Sequence, residues 1–356
     1  MTEERSASLL HKFIDYAISK NASDIHINVG VSPTIRVDGK LFSIPDTEIL
    51  TEIKAKELIS SITNKDTLTL LGQKKDVDFS FGYKEMRFRV NIYFERGNIS
   101  AALRLIPSEI RGFKELGLPP ILEKFTESSQ GFVIIAGPTG SGKSTTLAAI
   151  IDKINSEKRS HIITIEDPIE YIFEHKKSIV SQREVGQDTN TFSRALRSAL
   201  REDPDVVLVG EMRDLETIDA AITMAETGHL VFTTLHTNSA AQTTDRMINV
   251  FPPHQQQQIR SQLASVLLGV VSQRLIPKVS GGRVMASEIM MTNSAIKNLI
   301  REGKDHQIPN VIQTSASEGM ISLDKVLAEL VSRGEITLED ALTWSLDPKS
   351  FKMMVY

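Results

Sequence analysis

Cysteine is absent from the 356 residues. That excludes disulfides, Cys-ligated zinc and thiol catalysis, and it suits a reducing compartment. Long apolar runs are absent as well, none approaching the roughly 20 residues that span a bilayer. The first residues, MTEERSASLLHKF, carry charges without an apolar core of signal-peptide length. A cytoplasmic chain with no transmembrane segment is expected, any membrane association being peripheral. Aromatic residues are scarce at 6%, and the formal net charge is −4. Nucleic-acid binders use basic grooves and stacking platforms, so no nucleic-acid partner is expected. What is present is ordinary for a packed globular protein: 40% hydrophobic and 24% charged residues. The length suggests two domains at about 150 residues each.

Leu9, Leu10, Phe13, Ile14, Ala17 and Ile18 recur at helical spacing and predict an amphipathic helix over residues 5–20. Ile25, Ile27 and Val29 then alternate with polar neighbours, and Asp38-Gly39 between short apolar pairs is a hairpin signal. Met86, Phe88, Val90, Ile92 and Phe94 alternate with Arg87, Arg89, Asn91 and Tyr93, while Arg104 sits between Leu103 and Leu105. One sheet face should be apolar and the other basic. Residues 1–106 are expected to form a small α+β domain with an antiparallel sheet. Residues 107–120, with their glycines and prolines, are expected to break regular structure and serve as a linker. From residue 121 to 356 the pattern is α/β. Apolar runs at 132–136, 162–165, 206–209 and 230–235 alternate with predicted helices over 143–156, 191–201, 214–226 and 239–249. Asp214 suits an N-cap, with Gly228 just past that helix. Beyond Pro252 and Pro253 the chain reads as largely helical, apart from a strand near 283–290.

The run GPTGSGKST, comprising Gly137, Pro138, Thr139, Gly140, Ser141, Gly142, Lys143, Ser144 and Thr145, follows FVIIA and opens a good helix former. It is a complete phosphate-binding loop. Gly137 and Gly142 let the backbone turn its N–H groups and the helix N-terminus toward a polyphosphate. Lys143 is expected to reach the β/γ-phosphates and the Ser144 hydroxyl to bind Mg²⁺, so ATP and Mg²⁺ are the expected cofactors. Taken alone, the loop would fit a kinase or GTPase equally well.

Hydrolysis needs carboxylates at the ends of neighbouring strands. Glu166, Asp167 and Glu170 follow IITI, and Glu211 follows VVLVG, where it resembles a Walker B carboxylate and metal ligand. His229 and His236 flank LVFTTL seven residues apart. That odd spacing sends the two side chains to opposite faces and argues against a shared metal. His236, at the C-terminal end, is placed to sense a γ-phosphate; His229 suits an interface or a structural role. Arg89, Arg96 and Arg104 are candidates for the arginine that stabilises charge on a transferring phosphoryl group, although an alternating basic face is ordinarily just solvated.

Seven segments in order, ASDIHI, IRVDGK, GPTGSGKSTTLAAIIDKIN, ITIEDPIEY, QREVGQDT, ALREDPDVVLVGEMRDLETI and AETGHLVFTTLHTNSA, span almost the whole chain. Together they resemble the PilT family of type IV pilus retraction ATPases. The resemblance implies a PAS-like first domain, a RecA-like second domain and a ring of six subunits. ATP would bind between the two domains with help from a neighbouring subunit. Glu166, Asp167 and Glu170 would form the Asp box, with Glu170 the catalytic base, and His229 and His236 the His box. The partners implied are five further copies and an inner-membrane pilus platform, the output being twitching motility. Pilus extension and type II secretion ATPases share these motifs. Extension members commonly carry an additional N-terminal domain and a four-cysteine zinc element, neither of which is expected here. AIKNLIRE at 295–302 is close to the AIRNLIRE of retraction members, with Lys297 replacing the arginine and its planar fork. An accessory retraction subunit and, more remotely, a nucleic-acid-dependent translocase are the other readings. The last fifteen residues match no usable pattern.

Overall fold

The computed structural model describes residues 2–37, 39–84, 86–106 and 109–355. Asp38 of the expected hairpin, and Pro107 and Ser108 at the start of the expected linker, lie outside the described residues. The chain divides into two compact units, residues 1–109 with 170–172 and residues 110–169 with 173–356.

In the first unit, helix α1 (Thr2–Ser19) is followed by strands β1 (Asp24–Ile27), β2 (Thr34–Val37) and β3 (Lys40–Ser43). Helices α2 (Glu52–Ser60) and α3 (Lys65–Lys74) precede strands β4 (Asp76–Tyr83), β5 (Met86–Glu95) and β6 (Asn98–Ile106). All six strands join one antiparallel sheet in the order β3-β2-β1-β6-β5-β4. The helical stripe Leu10, Phe13, Ile14 and Ala17 and the alternating Phe88, Val90 and Ile92 share one buried cluster. Phe94 departs from that alternation and stands 41% exposed, with the Lys75 ammonium over its ring.

The opposite face is of mixed charge rather than basic. Cross-strand register sets Asp24 opposite both Arg36 and Arg104, and Arg104 Nε donates to Asp24 Oδ1 at 2.9 Å. Arg36 lies 3.8 Å from the other Asp24 oxygen, and Arg89 lies 3.7 Å from Asp78. Alternation along one strand reveals which residues share a face. It does not reveal which acids arrive from strands far away in sequence.

The second unit opens with α4 (Phe113–Leu116) and α5 (Glu123–Glu127). So the stretch expected to lack regular structure holds a short helix, ended by Gly117 in the left-handed region at φ 63°. There follow β7 (Gly131–Ala136), α6 (Lys143–Glu157), β8 (His161–Glu166), β9 (Ile179–Glu184), α7 (Phe192–Ala199) and β10 (Val206–Val209). The chain continues through α8 (Leu215–Glu226), β11 (Leu230–Leu235), α9 (Ala240–Asn249), α10 (Pro253–Val266), β12 (Leu267–Pro277) and β13 (Arg283–Met291). It ends with α11 (Ser294–Glu302), α12 (Ile308–Thr314), α13 (Leu323–Ser332), α14 (Leu338–Trp344) and α15 (Pro348–Val355). Three predicted helices begin one residue late because Thr191, Asp214 and Ser239 are N-caps, accepting from the N–H groups of Arg194, Thr217 and Gln242.

Seven strands form the second sheet in the order β13-β12-β7-β11-β10-β8-β9, parallel except for β12 with β13. Every residue of β7, β10 and β11 is buried, as expected of parallel strands covered on both faces. Two strands depart from the sequence reading. β9 is a half-polar edge strand with no clear alternation. β12 lies in the stretch expected to be helical; it begins directly after α10, and its apolar run LLGVV has no period of its own.

The final residues are packed. Phe351 of α15 is fully buried with Leu323, Leu327, Leu330 and Ala341, and the Asp324 carboxylate accepts the N–H groups of Leu346 and Asp347 at 3.0 and 3.2 Å. Among the described residues no helix is long and apolar enough to cross a membrane.

Two outcomes are expected. Phe351→Ala should destabilise the second unit by about 3–5 kcal/mol in urea unfolding, the usual cost of emptying a buried aromatic site. Asp24 is pushed up by burial, but hydrogen bonds from Ser23 and Arg104 and the Arg104 charge outweigh that and hold its pKa below the usual carboxylate value. Its stabilisation is present above the unfolded-state pKa and is lost as pH falls through the lower folded value. Asp24→Asn should therefore lower the neutral-pH melting temperature of the first unit and flatten its acid limb.

Candidate functional site

The strand order decides which loops meet. β11 and β12 flank β7, and β10 and β8 follow beyond β11. The chain leaves β7 in one direction to reach β8 and returns across it between β11 and β12. β7 is therefore a topological switch point, where parallel α/β sheets bind ligands at the carboxyl ends of their strands. Register keeps those ends level: Ala136 pairs with Leu235, Thr233 with Val209, and Val209 with Ile165.

The phosphate loop leaves β7 at Ala136. Gly137 has a φ of +147°, and a Cβ there would lie 2.5 Å from the Gln273 carbonyl oxygen and 2.6 Å from Ser141 Oγ. Only glycine fits so close a backbone approach. Gly142, at φ 86°, is the N-cap of α6, and no side chain caps that helix and no acid sits in its first turn. The positive end of its dipole is thus not neutralised by an acid of the helix's own first turn. Lys143 is 8% exposed, and its Nζ donates to the carbonyls of Gly137 and Pro138 at 2.9 and 3.0 Å. Ser144 and Thr145 lie in the first turn of α6, half-buried, while Thr139 and Gly140 form the exposed rim.

Glu166 ends β8 and is buried. Its Oε1 accepts from the Thr164 hydroxyl at 2.7 Å and from Gln182 Nε2 at 3.4 Å. Asp167, exposed, precedes the cis peptide bond to Pro168. Ile169 donates its N–H to the buried carboxylate of Glu184, on β9, at 3.1 Å. Glu170 follows, exposed, in the 170–172 stretch that groups with the first unit. Arg89, Arg96 and Arg104 also belong to the first unit, Arg96 with a left-handed φ of 51°.

Glu211 follows β10, and the turn before it is fixed from β11, whose Thr234 hydroxyl donates to the Gly210 carbonyl at 2.6 Å. His236 Nε2 lies 3.2 Å from Glu211 Oε2, and Arg213 pairs with the other carboxylate oxygen. The structure therefore brings Glu211 and His236 together beside the loop strand. His229 lies at the N-terminal end of β11, six strand residues or about 20 Å away along it. Its Nδ1 is 2.9 Å from the Met224 carbonyl and 3.1 Å from Thr227 Oγ1, where it closes the end of α8.

A family model described as type II/IV secretion system protein matches residues 2–281. The chain belongs to that family. It is 48% identical over 343 residues to the type IV pilus retractation ATPase PilT of Pseudomonas aeruginosa, covering 96% of this chain and 99% of that one. To the type IV pilus ATPase PilU of the same organism it is 37% identical over 346 residues, covering 97% and 90%. A crystal structure of the pilus retraction motor PilT with bound ADP aligns with a TM-score of 0.90 at 49% identity, covering 96% of this chain and 98% of that one.

The residues that sequence reasoning missed lie on the unrecognised strand and its partner. Gln273 and Arg274 of β12 and Glu288 of β13 are 1%, 4% and 4% exposed. Burial pushes the Glu288 carboxyl above its usual value, against the Ala240 N–H and the Arg274 charge that favour ionisation; Asp324 adds to the upward shift. Three polar residues inside apolar runs were the available signal, since burying such groups is costly unless they are partnered. Glu184 was likewise visible only as part of a family motif.

Gly137→Ala should force the loop away from β12. The expected outcome is a lower melting temperature and faster amide hydrogen exchange across residues 138–142, read by mass spectrometry.

Proposed function

We propose that this chain is a motor ATPase that couples ATP hydrolysis to retraction of a type IV pilus. The observation that carries the reading is the phosphate loop on β7 with Glu211 and His236 paired on the adjacent strand ends. Full-length similarity to a retraction ATPase supports it. In this reading residues 1–106 are a PAS-like domain, 107–120 a linker and 121–356 a RecA-like domain.

The N–H groups of the loop and of the first turn of α6 bind and orient the β- and γ-phosphates. Lys143 turns from the carbonyls of Gly137 and Pro138 to the same oxygens. Ser144 and Glu211 have the oxygen donors that suit Mg²⁺, a cation bound through one or two protein oxygens plus substrate phosphates. When bound, Mg²⁺ neutralises charge on the β/γ oxygens. Glu170 takes a proton from the attacking water as its oxygen bonds to the γ-phosphorus and the bond to the β,γ-bridging oxygen breaks, releasing ADP. Glu166 and Asp167 hold the approach to Glu170. His236, hydrogen-bonded to Glu211, reports the γ-phosphate. Arg89, Arg96 and Arg104 are the first-domain candidates for stabilising its charge, and His229 serves a subunit interface. Six copies form a ring at the cytoplasmic face of the inner membrane, acting on a pilus platform protein.

The test is turnover, particle size and complementation together. Lys143→Ala and Glu170→Gln should each lose ATP hydrolysis by about 10²-fold or more, the latter while still binding nucleotide. Ring-sized particles and restored twitching in a strain lacking its retraction ATPase are expected. A monomer with full turnover would count against the ring, and persistent hyperpiliation would point to an extension, secretion or accessory role.

A further inference from the structure

The β12–β13 hairpin supplies buried polar groups that the chemistry above does not use. β12 runs beside β7, pairing Ser272 with Ala136, so Gln273 and Arg274 lie just past the point where β7 becomes the phosphate loop. Gln273 reaches into the loop, its Nε2 donating to the Ser141 carbonyl at 2.7 Å. Arg274 reaches the opposite way. Its Nη2 donates to the carbonyl and to Oδ1 of Asn238 at 2.9 and 3.1 Å, and its Nη1 to the Gln273 carbonyl at 2.9 Å. That same Gln273 carbonyl is the one packed against Gly137.

Asn238 stands two residues after His236, in the segment between β11 and α9. The rest of this segment is fixed as tightly. The Glu288 carboxylate accepts the Ala240 N–H at 2.7 Å, and the Thr237 and Thr243 hydroxyls are 2.7 Å apart. Hydrogen bonds therefore run from Ser141 through Gln273 and Arg274 to Asn238, and two residues of backbone carry the link on to His236, which is bonded to Glu211. An apolar residue would fill the place of Arg274 at lower desolvation cost. What an arginine adds is a planar fork that holds two separate chain segments at fixed angles.

We propose that Gln273 and Arg274 are positioning residues that join the phosphate loop to the 236–240 segment, so that nucleotide held at the loop sets the position of His236 against Glu211. The inference rests on the ATPase reading given above.

Hydrogen exchange of the full chain, with and without ADP, tests it together with ATP turnover. In the wild type, ADP should slow exchange both at 137–145 and at 236–240. Arg274→Lys keeps the charge and loses the fork. It should retain protection at 137–145, lose it at 236–240, and lower kcat by about tenfold with less than about threefold change in KM. Gln273→Met, which removes the brace on the loop at similar volume, should lose the linkage from the other end and raise KM instead. Combined with His236→Ala, Arg274→Lys should cost little further kcat, because both act through one segment. Additive losses, wild-type protection at 236–240 in Arg274→Lys, or defects that track a fall in melting temperature alone would overturn the proposal. A wild type that binds ADP without hydrolysing ATP would sink the ATPase reading, while the exchange comparison would still decide the linkage.

Discussion

The close approach of two backbones, the Gln273 carbonyl of β12 against Gly137 at the end of β7, is the constraint on which the rest of the site depends. No side chain fits between them. The loop must therefore fold over toward α6, which aims the N–H groups of that helix into the space above the sheet. Parallel pairing on both sides of β7 makes the approach possible, since β11 ends level with β7 while β12 continues past the point where β7 stops. A loop held on one side only would keep its glycines and lose its direction.

From that centre the chemistry spreads along the strand ends in spatial rather than sequence order. His236 comes from the strand next to β7, Glu211 from the next and Glu166 from the one beyond. Each acid is fixed by a neighbour on another strand or loop: Glu211 by Thr234 through Gly210, and Glu166 by Gln182. The buried Glu184 fixes the turn that leads to Glu170 by accepting the N–H of Ile169. In the proposed ATPase, carboxylates held in this way would lose little freedom when a polyphosphate arrives, which is the value of preorganised electrostatics in phosphoryl transfer.

The first unit follows a different logic. Its sheet separates an apolar face, buried under α1 and α2, from a face where Arg36, Arg89 and Arg104 meet Asp24 and Asp78. A face read as basic from one strand is close to balanced once register is known. Exposed ion pairs of this kind contribute little to stability. Arg104 is tied more firmly, to an aspartate that is itself buried.

The sequence by itself determined the features that depend on neighbours a few residues away. Among these are the phosphate loop between FVIIA and a helix former, the caps at Thr191, Asp214 and Ser239, the alternation of β5 and the uninterrupted apolar runs of β7, β10 and β11. Each follows from local backbone geometry, so each can be read along the chain. Tertiary structure alone decided the rest. β12 has no period because it is covered on both faces; Asp24 meets Arg104 across eighty residues; and Gln273 meets Ser141 across more than a hundred. Those contacts form where pairing brings distant strands side by side, and the order of strands in a sheet is set by packing of the whole unit rather than by any one segment.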